Sequence, residues 1–286
     1  MPQTIQLPDG RALEVHELGD PHGFPIVYHH GTPGSGTLYD RWRTPGVRLI
    51  GYDRAGYGGS SRRSGRSVAD VVADVEALAG ALGLERFATW GLSGGGPHAL
   101  ACAALFDDRL VAAASVAGVA PWGVDDLDWL EGMGEGNRKE FDLVLAGEEA
   151  LRPALEDERT GLLGVTADGL REAMAPHLGD ADRAALTGEL AAFFHGNMGH
   201  GLGGGVDGWL DDNLAFVRPW GFDVESIACP VLVVQGGDDL MVPPSHGAWL
   251  AAHVAGCETR LDDTEGHLTL VQNLVPEIHA WLLRHS

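Results

Sequence analysis

Short apolar runs alternate with helical patterns along most of the chain. Two strand-like runs, residues 4–7 and 12–18, flank Asp9-Gly10, a dipeptide that favours a tight turn between paired strands. The chain therefore opens with a predicted antiparallel hairpin. Further apolar runs are bounded by glycine and proline, as expected for strands buried on both faces of a parallel sheet. These runs cover residues 26–29, 47–52, 87–92, 110–119, 230–235 and 259–261.

Helical spacing of apolar residues separates these runs. Residues 67–83 place apolar side chains every three or four positions, between a serine suited to the N-cap and a glycine suited to the end. Similar patterns cover residues 97–106 and 245–254. A last helix is predicted from Leu268, with a kink or a restart at Pro276. This alternation predicts an α/β protein with a mostly parallel, doubly wound sheet.

The pattern changes in the middle of the chain. Between residues 121 and 228 the helix-like pieces are broken by glycines and include no convincing buried strand. In an α/β chain such a stretch indicates an insertion rather than more sheet. We therefore predict a core domain of residues 1–120 and 229–286 and a helical cap of residues 121–228.

The composition limits the functions that this chain can have. Its 286 residues include 41 Asp and Glu against 19 Lys and Arg, a net charge of −22 at pH 7. Because this charge repels phosphate backbones and anionic lipid surfaces, we expect neither a nucleic-acid nor a membrane partner. The one lysine, Lys139, precedes a glutamate, so a phosphate-binding Gly-Lys-Ser/Thr loop is excluded. We expect a folded protein that acts on a small molecule.

The location of the protein is predicted from what the sequence lacks. No stretch reaches the ~18 apolar residues of a membrane span, and the first ten residues lack the basic and apolar parts of a secretory leader. The three cysteines are far apart and show no spacing typical of zinc or of a redox pair. We therefore expect a cytoplasmic protein. The sequence does not indicate the oligomeric state.

The strongest chemical signal is the G-x-S-x-G motif Gly91-Leu92-Ser93-Gly94-Gly95, which lies between a predicted strand and a predicted helix. At such a turn the central residue is forced into a strained backbone conformation, and side chains two positions away would collide. Ser93 then projects alone above the sheet, beside helix N–H groups that favour a developing negative charge. The alternative is a Gly/Ser-rich turn without chemistry.

A nucleophilic serine needs a base and an acid that orients the base. Asp238 and Asp239 follow one predicted strand, and His267 follows the next. The carboxyl ends of parallel strands meet at one edge of an open sheet, where ligands bind. Ser93, an aspartate and His267 can therefore converge at this edge.

Metal and cofactor sites are not predicted. His195 and His200 lie five residues apart with no third ligand near them, which is a poor metal spacing, and the other histidines resemble surface or packing residues. A G-x-G-x-x-G at Gly199, Gly201 and Gly204 lacks the preceding strand that dinucleotide binding requires. We expect no metal ion and no cofactor.

With these motifs the sequence resembles the α/β-hydrolase superfamily, and within it the capped esterases and proline iminopeptidases, over nearly all of the chain outside the cap. The family's His-Gly-x-Pro landmark is present at residues 30–33. Through it the resemblance implies that the N–H groups of Thr32 and Gly94 form an oxyanion hole. A second landmark, Asp-x-x-Gly-x-Gly-x-Ser at residues 53–60, is interpreted as structural, since its residues suit tight turns.

The same resemblance selects the acid and the reaction class. The family's Gly-x-x-Asp-x-x-Val-Pro frame is matched at residues 236–243, which implies Asp239 rather than Asp238 as the acid. Relatives that form an alkyl-enzyme have aspartate at the nucleophile position, whereas this chain has Ser93. The implied mechanism is attack of Ser93 on a carbonyl, with His267 as the base and Asp239 fixing its tautomer.

The cap sequence leaves the substrate open. Its aromatic residues can line an apolar pocket or form the core of the cap itself; they are Trp122, Trp129, Phe141, Phe193, Phe194, Trp209, Phe216 and Trp220. An acidic string can bind a substrate ammonium group, as cap carboxylates do in the proline-iminopeptidase branch, or form a solvated face. The string consists of Asp125, Asp126, Asp128, Glu131 and Glu135.

We therefore predict a serine hydrolase that cleaves a small carboxylic ester through an acyl-enzyme. The alternatives are a proline-iminopeptidase-like aminopeptidase or amidase and a hydrolase of C–C bonds. The alternative outside enzymes is a ligand receptor that retains a slow triad and signals through cap closure.

Overall fold

Eight strands form one sheet in the computed structural model, which describes residues 2–286. The strands are β1 (Gln3–Gln6), β2 (Ala12–Gly19), β3 (Phe24–His29), β4 (Val47–Tyr52), β5 (Phe87–Leu92), β6 (Leu110–Val116), β7 (Val231–Gly236) and β8 (Glu258–Asp262). Their order in the sheet is β1-β2-β4-β3-β5-β6-β7-β8. The β1–β2 and β2–β4 pairs are antiparallel and all other neighbours are parallel, which confirms the predicted hairpin and mostly parallel sheet.

The strand order reverses beside β3. The chain passes from β3 to β4 on one side and returns to place β5 on the other side. In open α/β sheets, ligands bind in the crevice at such a reversal, outside the carboxyl ends of the strands. The loop after β3 contains Thr32 and the turn after β5 contains Ser93, so both flank this crevice.

Five helices belong to the sheet domain. They are α1 (Val71–Leu82), α2 (Gly95–Leu105), α9 (Pro244–His253), α10 (His267–Asn273) and α11 (Val275–Leu283). The helix predicted from residue 67 begins with a 3₁₀ turn at Val68–Asp70, capped reciprocally by Ser67 and Asp70, and continues as α1. Gly83 ends it with a left-handed φ of 66°. The restart predicted at Pro276 is confirmed, because α11 has this proline in its first turn.

Helices replace strands in the middle of the chain. Within residues 2–286 there is no strand between β6 and β7, and the segment instead forms α3 (Glu135–Ala146), α4 (Glu148–Gly164), α5 (Leu170–Ala173), α6 (Asp180–Ala185), α7 (Gly188–Gly201) and α8 (Asp207–Phe216). Leu151, Leu170, Leu202 and Leu210 are fully buried there. The helical insertion is confirmed, and its limits at residues 121 and 228 remain a prediction.

One strand is shorter than predicted. β6 ends at Val116 instead of residue 119, because Ala117 has a φ of 47°, outside the extended region. Among the helices of residues 2–286, none combines the length and the apolarity that a membrane crossing requires.

Candidate active site

Ser93 occupies the sharp turn between β5 and α2. Its φ of 54° is one of two positive values among the non-glycine residues of the described chain. A Cβ on Gly91 would lie 2.0 Å from the carbonyl oxygen of Gly95, and one on Gly95 would lie 2.0 Å from that of His29. Only glycine fits at both positions, so the strained turn predicted from the motif is present.

His267 and Asp239 form a buried pair. Asp239 follows β7 and is 1% exposed, and His267 is the first residue of α10 and is 2% exposed. His267 Nδ1 lies 2.7 Å from Asp239 Oδ2. The other carboxylate oxygen accepts hydrogen bonds from the N–H groups of Met241 and Val242 at 2.9 and 2.8 Å. These contacts fix the carboxylate, and through it the orientation and the tautomer of the imidazole.

The electrostatics of this pair favour a protonated imidazole. Burial lowers the pKa of His267, the Asp239 carboxylate raises it, and the net shift is upward. Asp238 has a different environment, because its carboxylate accepts a 2.7 Å hydrogen bond from the N–H of Ala181. Of the two aspartates suggested by the sequence, the structure therefore brings Asp239 to the histidine.

Thr32 and Gly94 are neighbours in the structure. A Cβ on Gly94 would lie 2.3 Å from Thr32 Oγ1, so the two residues are in close contact beside Ser93. His98 Nδ1 donates a 2.7 Å hydrogen bond to the carbonyl of Gly94, and burial lowers the pKa of His98 to about 3, which keeps its ring neutral. This hydrogen bond fixes the carbonyl group of Gly94 at the N-terminus of α2.

A buried ion-pair network joins the cap to the loop of Thr32. Asp212, on α8, is fully buried, and its carboxylate accepts hydrogen bonds from Thr32 Oγ1 at 2.7 Å and from Tyr57 at 2.8 Å. Arg54 and Arg66 each approach it to 2.6 Å. Burial opposes ionisation of Asp212, but the two arginines hold its pKa well below the usual range. No local pattern in the sequence indicated this network.

A second cap aspartate binds the helix that begins with His267. The fully buried carboxylate of Asp182, on α6, accepts hydrogen bonds from the N–H groups of His267, Leu268 and Thr269 at 2.8, 2.7 and 3.1 Å. It therefore caps α10 from another part of the chain and fixes the backbone of His267. A cap supplied at this distance in sequence leaves no local signal, so sequence reasoning missed it.

A cavity lies between Ser93 and the cap. The core contributes Thr32, Pro33, Ser93, Gly94, Val119, Met241 and Val242, and the cap contributes Met133, Asn137, Glu140, Phe141, Glu158, Leu162, Ala173, Met174, His177, Met198, Trp209, Asn213 and Phe216. Its wall is mostly apolar and contains four flexible methionine side chains. Such a wall accepts apolar groups of varied shape.

The cavity also has an acidic part. Glu140, on α3, accepts hydrogen bonds from Trp209 Nε1 at 2.9 Å and from Asn213 Nδ2. Burial and then the charge of Glu158 raise the pKa of Glu140 to about 7. The acidic string suggested by the sequence does not line this cavity, whereas Glu140 and Glu158 do. Of the two interpretations that the sequence left open for this string, the exposed positions of its members agree with a solvated face.

The cap aromatics divide into two groups. Phe141, Trp209 and Phe216 line the cavity. Others pack within the protein: Trp122 contacts Trp129 with ring centroids 5.2 Å apart, and Phe193 stacks on Tyr39 at 4.8 Å. Phe141 belongs to both groups, because its ring centroid also lies 4.5 Å from that of Trp129, so both interpretations made from the sequence apply.

Comparison with known proteins agrees with this architecture. The family model for the alpha/beta hydrolase fold matches residues 25–274. A non-heme chloroperoxidase of Streptomyces lividans is 28% identical over 256 residues, 86% of this chain and 85% of that protein. A proline iminopeptidase of Xanthomonas citri is 35% identical over 107 residues, so the match spans about a third of each protein, 35% of this chain and 34% of the relative.

A solved structure extends the comparison to the whole fold. A thermophilic esterase from Thermogutta terrifontis superposes with a TM-score of 0.71 and 22% identity, covering 100% of both chains. At this identity the likeness concerns the fold alone. The family model covers most of the sequence, and the mostly parallel eight-stranded sheet with its helices agrees with that fold. This chain therefore belongs to the α/β-hydrolase fold family.

Proposed function

We propose that the protein is a serine hydrolase that cleaves small carboxylic esters through an acyl-enzyme on Ser93. The observation on which this rests is the 2.7 Å contact between His267 and Asp239, formed by residues that follow neighbouring strands at the sheet edge where Ser93 also lies. A buried histidine whose Nδ1 is bound by a carboxylate is oriented to act as a base through Nε2.

The proposed reaction begins when Ser93 Oγ attacks the carbonyl carbon and its proton passes to His267 Nε2. The negative charge on the carbonyl oxygen is stabilised by the N–H groups of Thr32 and Gly94. Collapse of the tetrahedral intermediate expels the alcohol, which receives the proton from His267. Water then attacks the acyl-enzyme with the same histidine as base, releasing the acid and restoring Ser93.

Two features support this assignment. The turn at Ser93 is strained and requires two glycines, and backbone strain of this kind persists where the surrounding structure enforces it, often at functional sites. The cavity that opens at Ser93 is largely apolar, as a neutral acyl or alkoxy group requires. The proposed hydrogen bond between Ser93 Oγ and His267 Nε2 is not formed among residues 2–286, where His267 contacts Asp239 through Nδ1; catalytic hydrogen bonds in ligand-free proteins are often long until substrate binds.

The proposal is tested with a panel of neutral aryl esters of increasing acyl length. We expect wild-type protein to hydrolyse short esters, and Ser93→Ala to lower kcat by ~10³ or more. Ser64→Ala, which removes an exposed serine hydroxyl from another loop, is the matched control and should retain full activity. Equal turnover by wild type and Ser93→Ala would refute the proposal.

A second candidate function is hydrolysis of acyl compounds that bear an amino group. Glu140 and Glu158 line the cavity that contains Ser93, and a carboxylate in an apolar wall binds an ammonium group strongly. The partial match to proline iminopeptidases agrees with this candidate. Aminoacyl anilides test it: turnover of prolyl anilide but not of its N-acetylated form would favour this candidate over simple esterase activity.

A further inference from the structure

Four side chains with metal-binding atoms converge at the junction between the sheet and the cap. We call Glu14, His16, Asp53 and His200 the junction cluster. Glu14 and His16 lie two positions apart on β2 and so point to the same face of the sheet. Asp53 directly follows β4, and His200 lies in the last turn of α7 in the cap. The cluster is separate from the candidate active site, and metal binding there is independent of the proposed hydrolase activity.

The ligand atoms of the junction cluster all lie within 4.8 Å of one another, and the imidazole–carboxylate distances are shorter. His200 Nε2 lies 2.9 Å from Asp53 Oδ2 and 3.1 Å from Glu14 Oε1. His16 Nε2 lies 3.5 Å from Asp53 Oδ1 and 3.6 Å from Glu14 Oε1. Ligands at the usual 2.0–2.1 Å from a tetrahedral zinc ion are about 3.3 Å apart, a value that these four distances bracket.

Two of these atoms lack a hydrogen bond. His200 Nε2 donates its hydrogen bond to Asp53 Oδ2 and not to Glu14. Among residues 2–286, Glu14 Oε1 and His16 Nε2 are shielded from solvent and are left without a hydrogen bond. A buried polar atom without a partner is costly, at ~1–3 kcal/mol, and such atoms in folded proteins commonly mark a bound water or ion. Both atoms belong to the side chains that approach Asp53 and His200.

The surrounding backbone leaves room for the cluster and orients Asp53. A Cβ on Gly58 would lie 2.0 Å from Asp53 Oδ2, and one on Gly59 would lie 1.8 Å from Glu14 Oε2. The N–H of Gly36 donates to Asp53 Oδ1 at 2.7 Å, and that of Gly59 donates to Oδ2 at 3.1 Å. Backbone donors of this kind hold a ligating carboxylate in position. The 53–60 loop, interpreted from the sequence as structural, also shapes this cluster.

We propose that the junction cluster binds one divalent transition-metal ion, with Glu14, His16, Asp53 and His200 as ligands. Two imidazole nitrogens with two carboxylate oxygens suit Zn²⁺ and related ions better than Mg²⁺ or Ca²⁺, which prefer oxygen ligands alone. The two carboxylate groups also offset the charge of a 2+ ion. The spacing of residues in the sequence does not predict these four ligands, because they come from three separate parts of the chain.

A metal ion at this position would fasten the cap to the sheet. His200 is the one ligand from the cap, and the N–H of Gly58 also donates to the carbonyl of Gly201 at 3.1 Å. The ion therefore adds bonds across a junction that already has backbone contacts. Bound metal stabilises the folded chain by mass action, because the unfolded chain does not assemble the site.

The experiment titrates tag-free, metal-stripped wild-type protein with ZnCl₂ by isothermal calorimetry and records the visible absorption of the Co²⁺ form. We expect one ion per chain and the intense absorption of four-coordinate Co²⁺. Removing a residue that only hydrogen-bonds to a metal ligand lowers metal affinity 10–100-fold. Removing a ligand itself, in His16→Ala or His200→Ala, should therefore lower the Zn²⁺ affinity ~100-fold or more. Zn²⁺ should raise the Tm of the wild type and of neither variant.

His22→Gln is the matched control, because it removes an exposed imidazole from the neighbouring turn and should bind Zn²⁺ as the wild type does. Where circular dichroism shows that a histidine variant is unfolded, Glu14→Gln replaces it, since the amide keeps the size of the side chain. If the four side chains form only hydrogen bonds and ion pairs with one another, the protein will not bind Zn²⁺ stoichiometrically. That result, or equal affinity in the wild type and a folded cluster variant, would overturn the proposal.

Discussion

Asp212 in the cap accepts a 2.7 Å hydrogen bond from the hydroxyl of Thr32, the residue whose N–H we propose as an oxyanion donor. Arg54 contacts both, at 2.6 Å from the Asp212 carboxylate and 3.0 Å from Thr32 Oγ1. The position of α8 in the cap and the position of the proposed oxyanion loop are therefore coupled. The cap, in addition to shaping the cavity, holds the loop on which electrostatic stabilisation would depend.

Thr32→Val tests this coupling. The substitution keeps the shape of the side chain and removes the hydroxyl, while Asp212 retains its two arginines and Tyr57. Removing an oxyanion donor outright costs ~10²–10³ in kcat, so a displaced donor should cost about tenfold. We expect kcat to fall and KM to change little. Thr4→Val, at an exposed position of β1, is the control, and steady-state ester kinetics are the measurement.

If Thr32→Val kept full kcat, the hydroxyl contact would have no part in positioning the loop. A large rise in KM with unchanged kcat would instead place Thr32 in substrate binding.

Asp182→Asn tests the cap of α10. The carboxylate accepts three backbone N–H groups, and an amide turns one acceptor into a donor that faces an N–H group. The unsatisfied contact should cost about 2 kcal/mol of unfolding free energy. We expect a Tm lower by roughly 4 °C and a reduced kcat, because the backbone of His267 loses a hydrogen bond. Thermal unfolding and ester kinetics measure the two effects.

Asp180→Asn is the matched control for Asp182→Asn, because Asp180 is an exposed aspartate on the same helix. It should leave both Tm and kcat unchanged. Equal losses in the two variants would show that net charge, rather than the cap of α10, matters.

The features predicted correctly from the sequence depend on local pattern. The elbow at Ser93 was predictable because glycines flank a serine between a strand and a helix, and the restart of the last helix was predictable from Pro276. His267 and the Asp238-Asp239 pair follow neighbouring strands, which predicted that they lie at one edge of the sheet, whereas the choice of Asp239 over Asp238 came from the family frame at residues 236–243.

Contacts between distant segments could not be predicted in this way. Asp182 caps a helix 85 residues later in the chain, and Asp212 meets Thr32 across 180 residues. Nothing near either aspartate distinguishes it from a solvated carboxylate. For the same reason the exposed acidic string was weighed as an ammonium site, whereas Glu140, one member of an ordinary polar helix, lines the cavity.

The choice between the two neighbouring aspartates is tested by substituting each with asparagine. In Asp239→Asn the side-chain amide presents either an N–H group or an uncharged oxygen to His267 Nδ1. The imidazole is then no longer held in the tautomer with its proton on Nδ1, so kcat should fall by up to ~10⁴. Asp238→Asn changes only a contact with the N–H of Ala181, so its kcat should stay close to that of the wild type. The ranking of kcat for a neutral aryl ester is the measurement, and the reverse order would reassign the acid.

Glu140 gives the second candidate function a pH signature. With its pKa raised to about 7, its carboxyl is mostly neutral at pH 6 and mostly ionised at pH 8. Attraction for a cationic substrate should therefore increase as the pH rises through 7. We expect kcat/KM for an aryl ester with a permanent trimethylammonium group, relative to its tert-butyl analogue, to rise by up to about tenfold between these pH values.

The ratio of the two substrates removes any effect of His267, which acts on both equally. Glu140→Gln should make the ratio independent of pH, while Glu131→Gln, from the exposed acidic string, should leave the rise intact. A ratio that is flat in wild-type protein, or that loses its rise in Glu131→Gln, would exclude Glu140 as the group that binds the cation.

Acylation of Ser93 during turnover is tested most directly by mass spectrometry of the protein after reaction with a fluorophosphonate and with a slowly released aryl ester. We expect one adduct per chain, located on the peptide that contains Ser93, and no adduct on Ser93→Ala. Asp239→Asn should form the same adduct more slowly. Ester turnover without any adduct, or an adduct located on another residue, would contradict an acyl-enzyme on Ser93.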